Sequence, residues 1–185
     1  DFTIHPGNQG DVVIEKLLSF VSDALFIEGN KAYILNPEAS DGSVYSYGAS
    51  HVILEGKYRK RAFEPNHLQI EGYDPESGTP IFVDSFSWAE IAQFNDRLRQ
   101  FEDRNISSVS QAQERGEAIL RRAEIESADG FIRIPPNCGQ QLYDGIDITD
   151  SQAGLSGTKR RVLGITVVYR PLRAEYEEQL LLGAV

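Results

Sequence analysis

Several groups of residues in this 185-residue chain are of the types that do chemistry. The acids Asp144, Asp147 and Asp150 lie three apart, and hard cations such as calcium take several carboxylate oxygens. Their spacing is not that of an EF-hand loop, and on a strand Asp147 points opposite Asp144 and Asp150, so solvated strand acids are the simpler account. His5, His51 and His67 are scattered, with no i, i+4 pair on a helix and no HExxH, which argues against a zinc enzyme. Cys138 beside a histidine would make a nucleophile and base, but Pro135-Pro136-Asn137-Cys138-Gly139 reads as a loop between strands. Paired carboxylates for glycoside hydrolysis have separations that a sequence does not display, and no segment here resembles a wall-degrading domain. Lys57-Tyr58-Arg59-Lys60-Arg61 is a dense basic cluster of the kind that grips phosphate groups. Only Tyr58 interleaves it, no Gly-rich loop follows and Glu55 and Glu64 flank it. It therefore reads as a solvated connector, or as a patch that salt-bridges to an acidic neighbouring subunit. Tyr45, Tyr47 and Phe63 suit an interface, where aromatics are enriched, and packing within the chain explains them equally well. No catalytic, cofactor-binding or metal-ligating residue is assigned, and no cofactor is expected.

Composition limits the function classes. The chain has 18 basic and 28 acidic residues, a formal net charge of −10, so general attraction to nucleic acid or anionic lipid is not expected. A single cysteine excludes an intramolecular disulfide framework and a cysteine-rich zinc site. No apolar run approaches the roughly 20 residues that span a bilayer, so membrane insertion is not expected. The sequence begins at Asp1, shows no signal-peptide pattern and contains no methionine, which suggests a piece of a longer protein.

The elements that would position these residues follow from periodicity. Residues 1–5 alternate as a short strand. From Asp11, a plausible N-cap, Ile14, Leu17, Leu18, Val21 and Leu25 recur at helical spacing as one buried stripe. Phe26-Ile27 and Ala32-Tyr33-Ile34-Leu35 flank Gly29-Asn30 as a tight hairpin. Residues 37–48 form a loop by composition. Strands are expected at residues 51–54, 67–73 and 80–83. Ser87-Trp88-Ala89-Glu90 fits a capping box, with Trp88, Ile91 and Leu98 facing inward, and Ser110-Gln111-Ala112-Gln113 fits a second, opening a helix with Ala112, Ile119 and Ala123 on its narrow face. Residues 131–134 return to strand. Residues 142–150, 159–169 and 175–182 alternate as half-buried antiparallel strands, joined by a Gly-containing turn at residues 151–158.

The order of these segments carries a resemblance. Leu17-Leu18-Ser19-Phe20-Val21, Gly29 and Tyr33-Ile34-Leu35 come first, then Asn66-His67-Leu68-Gln69-Ile70-Glu71-Gly72, Arg97 and Gln111-Ala112-Gln113-Glu114-Arg115-Gly116-Glu117-Ala118-Ile119-Leu120. Tyr143-Asp144-Gly145-Ile146-Asp147-Ile148-Thr149-Asp150, Arg161-Val162-Leu163-Gly164-Ile165 and residues 176–182 close the series. In order and spacing this resembles the baseplate hub and tail-tip proteins of phage tails and contractile injection systems. The fold expected is α+β: the pattern of the opening segments reads as a small β-α-β-β module, bounded within residues 1–48, and the resemblance implies a mainly antiparallel split β-barrel with one or two packed helices over residues 49–185. It also implies a virion structural protein that joins the tail tube to the tip or spike by ring assembly, with no enzymatic activity. Its partners would be tube, tip or spike subunits and further copies of itself in a trimer, and DNA would only pass through. The particle, from a phage or prophage, would be assembled in the bacterial cytoplasm. Hub chains usually carry two barrels and this one has material for one, so either the second lies elsewhere in the full protein or the trimer does not apply to this piece. Acids on one strand face, Asp144 with Asp150 and Glu175 with Glu177, would line the channel and repel exiting DNA. The alternative is a tail-tip enzyme or carbohydrate-binding module acting on the host surface.

Overall fold

Gly29 and Asn30 turn the chain back on itself where the sequence asks for it. The flanking strands pair from Ala24↔Leu35 to Glu28↔Lys31, with Gly29 at φ 61°, which a glycine adopts without a Cβ penalty. The structure, a computed structural model, describes residues 6–7, 9–62 and 64–185. The strand expected at residues 1–5, His5 and Phe63 lie outside the described residues. In chain order the elements are α1 (Gly10–Leu18), β1 (Ala24–Glu28), β2 (Lys31–Leu35), β3 (Ser43–Tyr47), β4 (Glu55–Lys60), β5 (His67–Tyr73), β6 (Pro80–Phe86), α2 (Trp88–Phe94), β7 (Leu98–Glu102), α3 (Val109–Ser127), β8 (Ala128–Ile134), β9 (Gly145–Asp150), β10 (Leu155–Arg170) and β11 (Glu175–Gly183). The class is α+β, as expected.

The chain divides into two compact units, Asp1–Asn36 with Ala62–Ala123, and Pro37–Arg61 with Glu124–Val185. This division differs from the boundary read at residue 48. The chain lays residues 37–61 into the second unit before returning to the first, an interleaving that composition along the sequence does not display.

In the first unit β5 is the centre of a three-stranded sheet, antiparallel to β6 and parallel to β7. Alternation sends Leu68 and Ile70 to one face, where they pack with Ile106, Ala112 and Leu120 in a buried cluster. Each fully buried aliphatic side chain contributes about 1.5–3 kcal/mol. Gly116 lets α3 approach closely, since a Cβ there would lie 2.2 Å from Ser85 Oγ. Helix α3 carries its small-residue face as read, with Ala112 buried and Ile119 and Ala123 half-buried against the cluster. Its cap lies two residues earlier than expected: Ser108 Oγ accepts from the Gln111 amide at 3.3 Å, and Gln111 Oε1 accepts from the Ser107 amide at 3.0 Å. This arrangement satisfies free donors at both positions.

Three expectations in this unit are corrected. Helix α1 starts after Gln9, and it buries Val13 while Ile14, Leu17 and Val21 stay exposed, so the periodic stripe is not the buried one. Ser87 precedes α2 but makes no side-chain cap, and Glu90 is buried. Trp88 is 68% exposed and Leu98 is also exposed, because Leu98 sits on β7 and faces away from the cluster.

The second unit is one six-stranded sheet in the order β3-β9-β10-β11-β8-β4, curled as a half-barrel. Every neighbour is antiparallel except β3, which runs parallel to β9. One face supplies a single core: Tyr47 from β3, Ile132 and Ile134 from β8, Ile146 and Ile148 from β9, Val162 from β10, and Leu180 and Leu182 from β11. Residues 55–60 are a strand and not a connector, and residues 51–54 make only an isolated bridge at His51. The strands at residues 67–73 and 80–86 belong to the three-stranded sheet of the first unit and not to this half-barrel. Gly130, at φ 144°, lets β4 lie close to β8, since a Cβ there would stand 2.0 Å from the Lys57 carbonyl oxygen.

Candidate assembly interface

The half-barrel holds its loops through buried polar contacts. Tyr47, fully buried, donates from its hydroxyl to Gln140 Oε1 at 2.8 Å and accepts from Asn137 Nδ2 at 3.0 Å. Glu178, also buried, accepts from the Asn137 amide at 2.7 Å, and Asp144 Oδ2 accepts from Gln140 Nε2 and the Gln141 amide, both at 2.8 Å. Burial pushes the Tyr47 phenol up to about 12; the Asn137 hydrogen bond works against the shift and the Glu178 charge adds to it. Burial also raises the Tyr58 phenol, aided by Asp150. Arg161, 2% exposed, donates to the Tyr143 and Glu38 carbonyls at 2.9 and 2.7 Å and pairs with Asp41 at 2.9 Å, tying the segment before β3 to β10. These contacts fix the loops of the scaffold to its sheet.

The exposed feature this scaffold presents is the ribbon of β10 and β11. Strand β9 pairs with β10 only from Leu155 to Arg161, and β8 pairs with β11 only from Glu178 to Leu181. Beyond those limits β10 and β11 continue as a two-stranded arm through Arg170↔Glu175 to a 3-10 turn at Pro171–Arg173. A bulge at Leu163, between Val162 and Gly164, interrupts the β10–β11 register where the arm begins. Ile165 packs at the edge of the core, Val167 and Tyr169 continue its core-facing side beyond it, and Tyr169 packs edge-on to Tyr176 with ring centroids 5.4 Å apart. Val167 and Tyr176 are more than half exposed, Tyr169 is 67% exposed and Leu172 at the turn is fully exposed. The arm thus combines an uncovered apolar stripe with strand edges that have no partner among the described residues.

The residues singled out in the sequence fall as follows. Asp144 precedes β9, Asp147 accepts from Ser43 Oγ at 2.7 Å, and Asp150 holds the next turn through the Gln152 amide at 3.0 Å. Among the described residues no three His, Cys, Asp or Glu side chains are grouped to hold a metal. Cys138 is exposed and free, and His51 packs against Tyr45 and Tyr47. In the basic cluster, Lys57 and Arg59 face outward on β4 and Arg61 pairs with Asp129 at 2.5 Å. The channel-lining set is corrected: Asp150 shares the core side with Ile146 and Ile148, while Glu175 and Glu177 lie on the opposite side of the sheet. Glu175 pairs with Arg170 at 2.9 Å and Glu177 with Arg133 at 3.6 Å. A four-acid face therefore does not exist. The sequence reading missed the arm, although Val167, Tyr169, Leu172 and Tyr176 around Pro171 were a legible signal.

Solved structures share the fold. The 43 kDa tail protein of prophage MuSo2 from Shewanella oneidensis superposes with a TM-score of 0.69 at 15% identity, covering 99% of this chain and 54% of its own. A tail protein from Neisseria meningitidis MC58 gives 0.73 at 9% identity over 98% of this chain and 56% of its own. The fold is that of phage tail proteins. A chain of the native gene transfer agent virion also has this tail-protein fold, with a TM-score of 0.64 at 12% identity over 98% of this chain and 40% of its own. This chain therefore spans about half the length of the tail proteins it matches. No family model matches the sequence, and no curated protein matches it.

Proposed function

We propose that this chain is a structural part of a phage or phage-like tail, a hub or tail-tip protein that joins the tail tube to the tip or spike through ring assembly. The observation that carries the reading is the β10–β11 arm, set on a tail-protein fold that matches along almost the whole chain. Strand edges with free backbone groups and an apolar stripe are the means by which one chain adds to another. A ring that closes uses up such surfaces, whereas an open series makes fibres. Its partners are tube, tip or spike subunits and further copies of itself, with a trimer as the expected ring for the full-length protein. DNA passes through only in transit. The site of action is the virion tail, and assembly takes place in the bacterial cytoplasm. We assign no reaction to it. Immunogold labelling of particles from cells that encode the chain tests the position directly. Label confined to the tip end of tails is expected, and label on heads or along the whole tail would rule out the hub assignment.

A further inference from the structure

The three-stranded sheet of the first unit buries one face and leaves the other uncovered, and that face has a definite chemistry. Register places Phe86, His67 and Leu98 in one row, Asp84, Gln69 and Gln100 in the next, and Phe82, Glu71 and Glu102 in the third. His67 stacks on Phe86 at 4.2 Å between ring centroids, and Phe86 stacks on Trp88 at 4.5 Å, so an aromatic ladder ends in a largely exposed indole. His67 is held between carboxylates, with Nδ1 3.0 Å from Asp96 Oδ1 and Nε2 3.2 Å from Asp84 Oδ1. The face is apolar and acidic together, which suits a partner that brings cationic side chains over aromatic rings and carboxylates.

The same chain carries a matching surface in its second unit. On the edge strand β4, Lys57 and Arg59 project outward from the sheet and have no acidic partner among the described residues. In a chain of net charge −10, this edge is a concentrated basic surface. The geometry points to a heterologous contact between copies, in which the open face of the β6-β5-β7 sheet of one molecule receives β4 of the next. Glu71, Glu102 and Asp84 then meet Lys57 and Arg59, and Trp88 and Phe82 supply the apolar contact. This inference rests on the assembly reading above and names a second surface for it, separate from the β10–β11 arm. Because its two halves differ, the contact propagates from copy to copy and closes a ring when the rotation permits.

Sedimentation velocity on the protein and two charge-reversed forms tests it. One form carries Lys57→Glu with Arg59→Glu and the other Glu71→Lys with Glu102→Lys, each confirmed as folded by its melting curve. Wild type is expected to self-associate, each form alone to associate at least about tenfold more weakly, and their equimolar mixture to recover association toward the wild-type level. The mixture recovers because the intact acids of one form meet the intact Lys57 and Arg59 of the other, and the two reversed halves are again opposite in charge. Reversed forms that assemble like wild type would overturn this contact while leaving assembly through the arm intact. A mixture that associates no better than either form alone would also overturn it. A wild type that remains monomeric at about 100 μM would overturn both this contact and self-assembly of the chain.

Discussion

At the scale of single residues, two buried polar groups carry unusual weight. The Tyr47 phenol sits near 12 in the fold against about 10 when exposed, so the fold favours its neutral form. Its contribution is fully present below pH 10 and is lost as pH rises from 10 through 12, up to about 3 kcal/mol at about 1.4 kcal/mol per unit. Tyr47→Phe is expected to lower stability at pH 8 by about 1–2 kcal/mol, through its lost hydrogen bonds, and to flatten the decline between pH 10 and 12. Urea titrations at pH 8 and pH 11 measure both effects. Arg161→Met is expected to cost about 3 kcal/mol, because Asp41 and the Tyr143 and Glu38 carbonyls lose their shared donor. The same titration checks it, and a change under 1 kcal/mol would show that the segment before β3 is held by other means. In the sequence Tyr47 stood out only as an aromatic suited to an interface or to packing, and Arg161 only as part of the closing run, so neither buried polar role was legible. An arginine in a basic run reads as solvated until the chain folds a loop carbonyl onto each side of it.

At the scale of elements, periodicity was a good guide to strands and a poor one to what they meet. The hairpin β1–β2 and the strands β5, β8, β9, β10 and β11 overlap the segments where turn chemistry and alternation placed them, since these are local properties, although β8 and β10 begin earlier, at Ala128 and Leu155. Trp88 and the α1 stripe were misread because hydrophobicity signals burial against something, and that something need not belong to the same chain. Gly130→Ala tests the close approach of β4 to β8. The Cβ would stand 2.0 Å from the Lys57 carbonyl at a φ of 144°, so a loss of about 2–4 kcal/mol is expected. Hydrogen exchange should show protection lost first in Glu55–Lys60, and unchanged protection there would refute this account of the edge. Replacing Tyr169 and Tyr176 with serine removes a ring pair worth about 1 kcal/mol to the folded chain. The larger effect is expected on self-association, read by light scattering with the melting temperature as control. An equal loss in both would make the arm a stability element only.

At the scale of the molecule, the tail-protein fold was visible in the order of segments because order survives when identity has fallen to 9–15%. The interleaving of residues 37–61 into the second unit was not visible, since it depends on pairings such as β4 with β8 that are far apart along the chain. In the proposed assembly the work of this protein falls to surfaces that a single copy leaves open: the β10–β11 arm and the aromatic, acidic sheet face. The most direct test is cryo-electron microscopy of the full-length protein assembled in solution. A closed ring in which Val167, Tyr169 and Leu172 are buried against a neighbouring chain is the predicted result. A ring whose arm points into solvent, or particles that remain single chains, would contradict the account.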